Sequence, residues 1–236
     1  MSAAKRISSK DMRSIHKNKL HECGIHVHFN ESDITEAVAM IIGPKGSVYQ
    51  DGVLFFVIKF PSNYPFSPPK VGYVSRGSIR IHPNLYTGGP HENYIGKVCI
   101  SLLNTWSGPK WTTIMDISSI LLSIQSLLDN NPLENEPGFS GKDTPKHEMY
   151  KEVVEYETFR TLIIKNTFDI PEGFMCFEDV IMEHYKSNRD EILESINRKV
   201  LSDQSNKTIQ LSIYRINQTL MYEALQSILV DKDSKL

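Results

Sequence analysis

The sequence predicts an α+β fold: an N-terminal helix, a four-stranded antiparallel meander, a loop-rich block around a lone cysteine, a central helix, and C-terminal helices. Three observations lead there. Between residues 25 and 74, apolar residues alternate or run in short stretches separated by turn-rich GPKGS and QDG, as strands do. From Ile114 to Leu128, apolar residues recur in steps of 3-3-1-3-3-1, the period of an amphipathic helix. After Ser140 the strand signals vanish and apolar residues recur at helical spacing.

The 236 residues suffice for two domains, expected at 1–140 and 141–236, with a core that needs no staples. A net charge of −2 gives no global case for nucleic acid or membrane as a partner. The longest fully apolar run, Val53 to Ile58, is too short to span a bilayer, and the first 20 residues are basic and polar rather than a signal sequence. A soluble protein of the cytoplasm and/or nucleus is expected. Cys23, Cys99 and Cys176 are odd in number, far apart and lack a CxxC pair, which excludes a disulfide framework and a cysteine-rich zinc site.

Residues 3–20 form the first helix, with Ile7, Met12, Ile15 and Leu20 as its apolar stripe. The opposite face carries Lys5, Arg6, Lys10, Arg13, Lys17 and Lys19 against Asp11, either a solvated face or a docking face for an acidic partner. The strands follow from Ile25. His26 and His28 share a strand face, but two imidazoles without a third ligand are more simply surface residues, and no metal site is expected. Pro61 to Pro69 holds four prolines in nine residues and must leave the sheet as a stiff extended loop. Phe66 in its middle is either a core plug or an exposed anchor. Thr113 and Asp116 form a capping box for the central helix, which ends at Asp129-Asn130-Asn131-Pro132. Three further helices are expected on the apolar sets Met149/Val153/Tyr156/Ile163, Phe177/Val180/Ile181/His184/Ile192 and Ile209/Ile213/Ile216/Leu220/Leu225. Residues 201–208 make the loose connection before the last.

The chemistry concentrates in His82 to Trp111, HPNLYTGGPHENYIGKVCISLLNTWSGPKW. A thiolate both attacks and leaves well, so a cysteine can take an acyl group from another thioester without a strong general base. Such a site needs access, a donor for the oxyanion, and a group that prepares the attacking amine. Asn84 can donate without titrating, and His82 and Pro83 can hold the turn that aims it. Lys97, two residues before Cys99, points the same way if the segment is extended.

The order GP, a strand ending in FP, YPFSPPKV, HPN, GKVC, a tryptophan and SILLSIQSLL resembles the ubiquitin-conjugating enzymes over roughly residues 5–139. HPNLYT, GKVCISLLNTWSGPKW, LLSIQSLL, NEPGF and YKEVVEYETFR resemble the Z-type members in particular. The resemblance implies that Cys99 accepts ubiquitin, or a ubiquitin-like modifier, as a thioester from an activating enzyme and passes it to a substrate lysine. It implies that Asn84 stabilises the oxyanion or holds the active-site loop, with His82 as structural support. Lys5, Arg6 and Lys10 would meet the activating enzyme, while Phe66 and the loop beginning at Trp111 would meet a ligase. One of Glu134, Asn135 and Glu136 would position the incoming lysine. No cofactor is expected on the chain; ATP is consumed by the activating enzyme.

Three features depart from the family pattern. Asn84 and Cys99 lie 15 positions apart, about twice the usual spacing, with Gly88 to Tyr94 as an insertion. The spacing from Cys99 to Trp111 is also long, as in the Z-type. Thr112-Thr113-Ile114 replaces the Ser-Pro-Ala that usually follows the tryptophan. Two other readings compete: a non-catalytic adaptor of the same fold, and a papain-like protease using His82 or His91 as base.

Overall fold

The computed structural model describes residues 2–142, 144–202 and 205–236, and only the backbone of Glu92. The chain divides into two compact units. The first comprises Met1–Ile42, Leu54–Ser75 and Asn84–Leu128; the second comprises Gly43–Val53, Arg76–Pro83 and Asp129–Leu236. The unit holding the C-terminal helices therefore also takes in two segments from the first half of the chain.

In the first unit, α1 runs through Ala3–Arg6, a wide π turn at Ile7–Asp11, and Met12–Lys17. Ser2 caps it, accepting the Lys5 N–H at 3.3 Å. Ile7 and Leu20 of the expected stripe are fully buried. The antiparallel sheet follows in sequence order: β1 Ile25–Phe29, β2 Glu36–Ile42, β3 Val53–Lys59, β4 Lys70–Val74 and β5 Ile95–Lys97. Register is set by pairs such as Val27 with Ala39, Phe56 with Tyr73, and Tyr73 with Gly96.

The α+β expectation holds, with one strand more than the sequence suggested. The fifth strand is the return limb of the insertion. It has three residues and a central glycine, too little pattern to register as a strand. Gly96 is required there, since a Cβ would lie 1.7 Å from the Tyr86 carbonyl oxygen.

The central helix, α2 Ile117–Ser126, buries Ile117, Ile120, Leu121 and Ile124 completely. Each such side chain contributes roughly 1.5–3 kcal/mol. Its start corrects the expected capping box. Asp116, not Thr113, is the N-cap, accepting the Ser119 N–H at 3.2 Å. Ile114 consequently leaves the stripe and is 78% exposed.

In the second unit, α3 Pro145–Glu157 continues through a π segment, Thr158–Lys165, and α4 spans Glu178–Val200. Thr158 donates to the Val48 carbonyl at 2.9 Å and Asn166 to that of Val53 at 2.6 Å, tying residues 43–53 to this helix. Gly52 permits the approach: a Cβ there would lie 2.7 Å from the Leu162 Cβ. The third expected helix is half wrong. Its first part is a hairpin, β6 Thr208–Leu211 with β7 Ile216–Thr219, and only α5 Tyr222–Asp233 is helical. Ile209 and Leu211 are buried while Thr208 and Gln210 are exposed, an alternation that four residues made easy to mistake for helical spacing. Residues 203 and 204 of the expected connection lie outside the described residues.

Candidate active site

Asn84 and Cys99, far apart in sequence, face each other as partners in a short antiparallel ladder. Leu85 bridges Val98, and the Tyr86 N–H donates to the Lys97 carbonyl at 3.0 Å. The Cys99 N–H donates to the Asn84 carbonyl at 2.9 Å, and the Asn84 carboxamide donates Nδ2–H to the Cys99 carbonyl. Asn84 is 4% exposed and Cys99 3%, so both are buried. Among the described residues no hydrogen bond joins a histidine to Cys99.

Thr105 clamps the residues on either side of the cysteine. Its hydroxyl accepts the Ile100 N–H at 3.0 Å and lies 3.0 Å from the Val98 carbonyl, to which it donates. The sequence reading missed this residue; a threonine six positions after the cysteine carries no motif of its own.

His82 and Pro83 belong to the second unit, and the chain crosses into the first at the Pro83–Asn84 bond. His82 is fully buried, 6.2 Å from the Tyr49 ring. Tyr49 donates to the Ile81 carbonyl and Tyr150 to that of Arg80, each at 2.7 Å. Burial pushes the Tyr150 hydroxyl well above the usual tyrosine range. The Arg80 guanidinium donates to the Pro83 carbonyl and stacks 4.6 Å over the Tyr214 ring, whose hydroxyl donates to Glu136. Arg80 and Tyr214 were not foreseen as supports of this turn.

The insertion is an ordered hairpin. Ser75, 2% exposed, staples it: its hydroxyl accepts the Gly88 N–H at 2.9 Å and lies 2.9 Å from the Tyr94 carbonyl. Asn93 and Tyr94 both adopt positive φ, 49° and 60°, to turn the chain into β5. The Tyr94 side chain is 54% exposed.

The expected partner surfaces divide. Lys5 is exposed, but Arg6 is 7% exposed and turned inward. Its guanidinium donates to the carbonyls of Thr113 at 3.1 Å and Met115 at 2.7 Å. This corrects its place on the docking face, because a guanidinium spent on buried carbonyls cannot meet a partner. Lys10 donates to the Ile114 carbonyl and is half-buried. Phe66 is 77% exposed, so it does not plug the core. Trp111 is 8% exposed, and its indole donates to the Pro65 carbonyl at 2.7 Å. It therefore holds the proline loop from inside, a correction to its place on a ligase surface; in the loop that begins at Trp111, Ile114 is the exposed apolar side chain.

Asp11 binds these parts together. Fully buried, it accepts the Tyr64 hydroxyl at 2.6 Å and the Ile117 N–H at 2.9 Å, joining α1, the proline loop and the start of α2. Burial pushes its carboxyl above the usual range, against the pull of those two hydrogen bonds and of Arg6.

Glu134, Asn135 and Glu136 are half-buried in the second unit. Glu134 accepts the Gly141 N–H at 2.8 Å, Asn135 donates to the Pro132 carbonyl at 3.4 Å, and Glu136 accepts from Tyr214. Among the described residues no cluster of three or more His, Cys, Asp or Glu could hold a metal ion; His26 and His28 lie on β1. No helix is long and apolar enough to cross a membrane among those residues.

The sequence profile described as ubiquitin-conjugating enzyme matches residues 8–160, a span that contains α1 from Ser8 onward, the whole sheet, the Asn84–Cys99 pair and α2. Ubiquitin-conjugating enzyme E2 Z of Danio rerio is 35% identical over 183 residues, 75% of this chain and 53% of that protein. Ubiquitin-conjugating enzyme E2 Z of Homo sapiens is 38% identical over 167 residues, 70% of this chain and 44% of that protein. The chain thus spans about half the length of the curated relatives it matches. With the profile covering most of the chain and its paired Asn84 and Cys99, the protein belongs to the ubiquitin-conjugating enzyme family.

Proposed function

We propose that the protein is a conjugating transferase that carries ubiquitin, or a ubiquitin-like modifier, as a thioester on Cys99. The Cys99 thiolate attacks the modifier's C-terminal carbonyl while that carbonyl is held as a thioester on the activating enzyme. A new C–S bond forms, the old one breaks, and the thiol leaves with the activating enzyme, whose earlier use of ATP drives the sequence. In the second step a substrate lysine amine attacks the same carbonyl, an isopeptide bond forms, and Cys99 departs as the thiol. The chain itself holds no cofactor in this scheme.

The observation that carries this reading is the two-way pairing of Asn84 with Cys99. It fixes the backbone of the one cysteine that stands in the family's motif order, while the other two lie outside it. In the resting protein the Asn84 amide is engaged with the Cys99 carbonyl, which favours a holding role; donation to an oxyanion would require that bond to exchange. Lys5 remains available to the activating enzyme, and Phe66 with Ile114 offers exposed apolar surface to a ligase.

The test is charging. Incubation with activating enzyme, ATP and ubiquitin should give an adduct that disappears on adding reductant, and Cys99→Ala should abolish it. A clean failure to charge with ubiquitin or any related modifier would favour a non-catalytic binding role.

A further inference from the structure

Cys99 is flanked by two peptide groups, and Asn84 and Thr105 between them hold each at both ends. In the peptide before it, the Cys99 N–H donates to the Asn84 carbonyl at 2.9 Å and the Val98 carbonyl accepts from the Thr105 hydroxyl at 3.0 Å. In the peptide after it, the Cys99 carbonyl accepts from the Asn84 carboxamide and the Ile100 N–H donates to the Thr105 hydroxyl oxygen at 3.0 Å. Thr105 reaches back because the chain reverses behind the cysteine. Ser101–Leu103 make one 3-10 turn, and Asn104 takes a left-handed φ of 58°, which its short polar side chain tolerates. The Leu103 and Thr105 N–H groups then both donate to the Ile100 carbonyl, at 3.1 and 3.3 Å, closing the reversal. That carbonyl also lies 3.1 Å from the Thr105 hydroxyl, as a second acceptor for its one proton. Val98 and Ile100 are buried, so a peptide group that loses Thr105 has little water to turn to.

We propose that Thr105 is a positioning residue for the transfer reaction: by locking the two peptides that carry Cys99, its hydroxyl aims the thiol at the incoming thioester, and later aims the charged carbonyl at the attacking amine. This rests on the reading of Cys99 as a thioester carrier. The direction of the Cys99 Cα–Cβ bond follows the two torsions between those peptides, so rocking either plane swings the sulfur. A misplacement of about 1 Å costs roughly a hundredfold in rate, because reacting atoms must meet near ~3–3.5 Å with their orbitals aligned. Asn84 bonds the two polar groups of Cys99 itself, and Thr105 bonds the two on its neighbours. Removing the Thr105 hydroxyl therefore frees the outer end of both peptides at once. The hydroxyl exchanges no proton with the thiol or the amine; it acts through the backbone alone.

The test compares two variants of the full chain. Thr105→Val keeps the shape and loses the hydroxyl; Thr105→Ser keeps the hydroxyl and loses the methyl. Charging is followed against the concentration of ubiquitin-loaded activating enzyme, and discharge of the charged protein against free lysine. Thr105→Val should lower the rate at saturation about tenfold or more in both steps, with KM for the loaded activating enzyme within about twofold of the parent. Thr105→Ser should recover the parental rate to within about threefold. Rates are taken below the melting midpoint of each variant, so that lost fold does not count as lost rate. The proposal is overturned if Thr105→Val reacts at the parental rate, if its loss lies in KM alone, or if Thr105→Ser falls as far as Thr105→Val. A Thr105→Val protein without a cooperative melt moves the comparison to Thr105→Ala, for which the same outcomes hold; failure of that variant to fold would make the hydroxyl a folding element and overturn the proposal too. Absence of any reductant-sensitive adduct on the parent would instead overturn the reading of Cys99, and this inference with it.

Discussion

Asn84 holds Cys99 from two sides, accepting its N–H through the main chain and donating to its carbonyl through the carboxamide. Asn84→Asp replaces that donor with an acceptor facing a carbonyl oxygen, in a site that is almost fully buried. We expect a stability loss of about 1–3 kcal/mol, the usual cost of a broken buried hydrogen bond, together with weaker charging. Unfolding by denaturant and a charging gel check both. An unchanged midpoint with transfer to lysine alone impaired would assign the amide to the oxyanion instead.

Asp11 is the joint among α1, the proline loop and α2. Asp11→Ala strands the Tyr64 hydroxyl and the Ile117 N–H in the interior and removes the partner charge beside Arg6. The expected cost is about 2–4 kcal/mol, lowering Tm by roughly 5–12 °C for a chain of this size. A Tm unchanged within about 1 °C, on the same scaling, would mean that the joint carries no net stability.

Tyr214 supports the turn before Asn84 through Arg80. Tyr214→Phe keeps the ring under the guanidinium and loses the bond to Glu136; Tyr214→Ala also loses the ring, with its contacts to Arg80 and Tyr150. We expect Phe to cost less than Ala, with the difference about 0.5–2 kcal/mol, the worth of a cation–π contact. Equal losses in thermal melts would assign the effect to the hydroxyl.

The end of α5 is tied by charge. Arg189 donates to both carboxylate oxygens of Asp233, at 2.6 and 2.5 Å, and Tyr185 adds a third bond at 3.0 Å. The Arg189 bonds, foremost, hold the Asp233 carboxyl below the usual range. Because the folded value is depressed, the stabilisation is full above the unfolded value, about pH 4, and is lost as pH falls through the folded one. Arg189 is 44% exposed, so solvent screening limits the effect to about 1 kcal/mol. Asp233→Asn should therefore be less stable than the parent at pH 7, with the gap shrinking toward pH 3 in urea titrations. A constant gap would show that the charge is irrelevant.

Much of this architecture was legible because apolar periodicity reports burial directly. The α2 stripe from Ile117 onward is buried as its spacing demands, and the proline loop leaves the sheet where its missing donors require. The failures have physical causes. Ile114 fits the helical period, but Asp116 starts the helix after it. β6 and β7 are four residues each, short enough that Ile209, Ile213 and Ile216 mimic a helix. Arg6 looked like part of a basic face, yet its guanidinium satisfies two carbonyls far along the chain, a contact that no local pattern encodes. In the site, Cys99 and Asn84 stood out by motif order. Thr105, Ser75 and Arg80 act through side-chain hydrogen bonds to backbone atoms, and such bonds leave no trace in residue spacing.

The central claim is that the thiol of Cys99 forms the bond to the modifier. The most direct measurement replaces that sulfur by oxygen and asks for the chemistry of the adduct. Cys99→Ser, incubated with activating enzyme, ATP and ubiquitin, should give an adduct that resists reductant but is cleaved by mild base, with mass mapping to residue 99, because an oxygen ester now replaces the thioester. An adduct on the variant that still disappears with reductant would place the thioester on another cysteine and contradict the account.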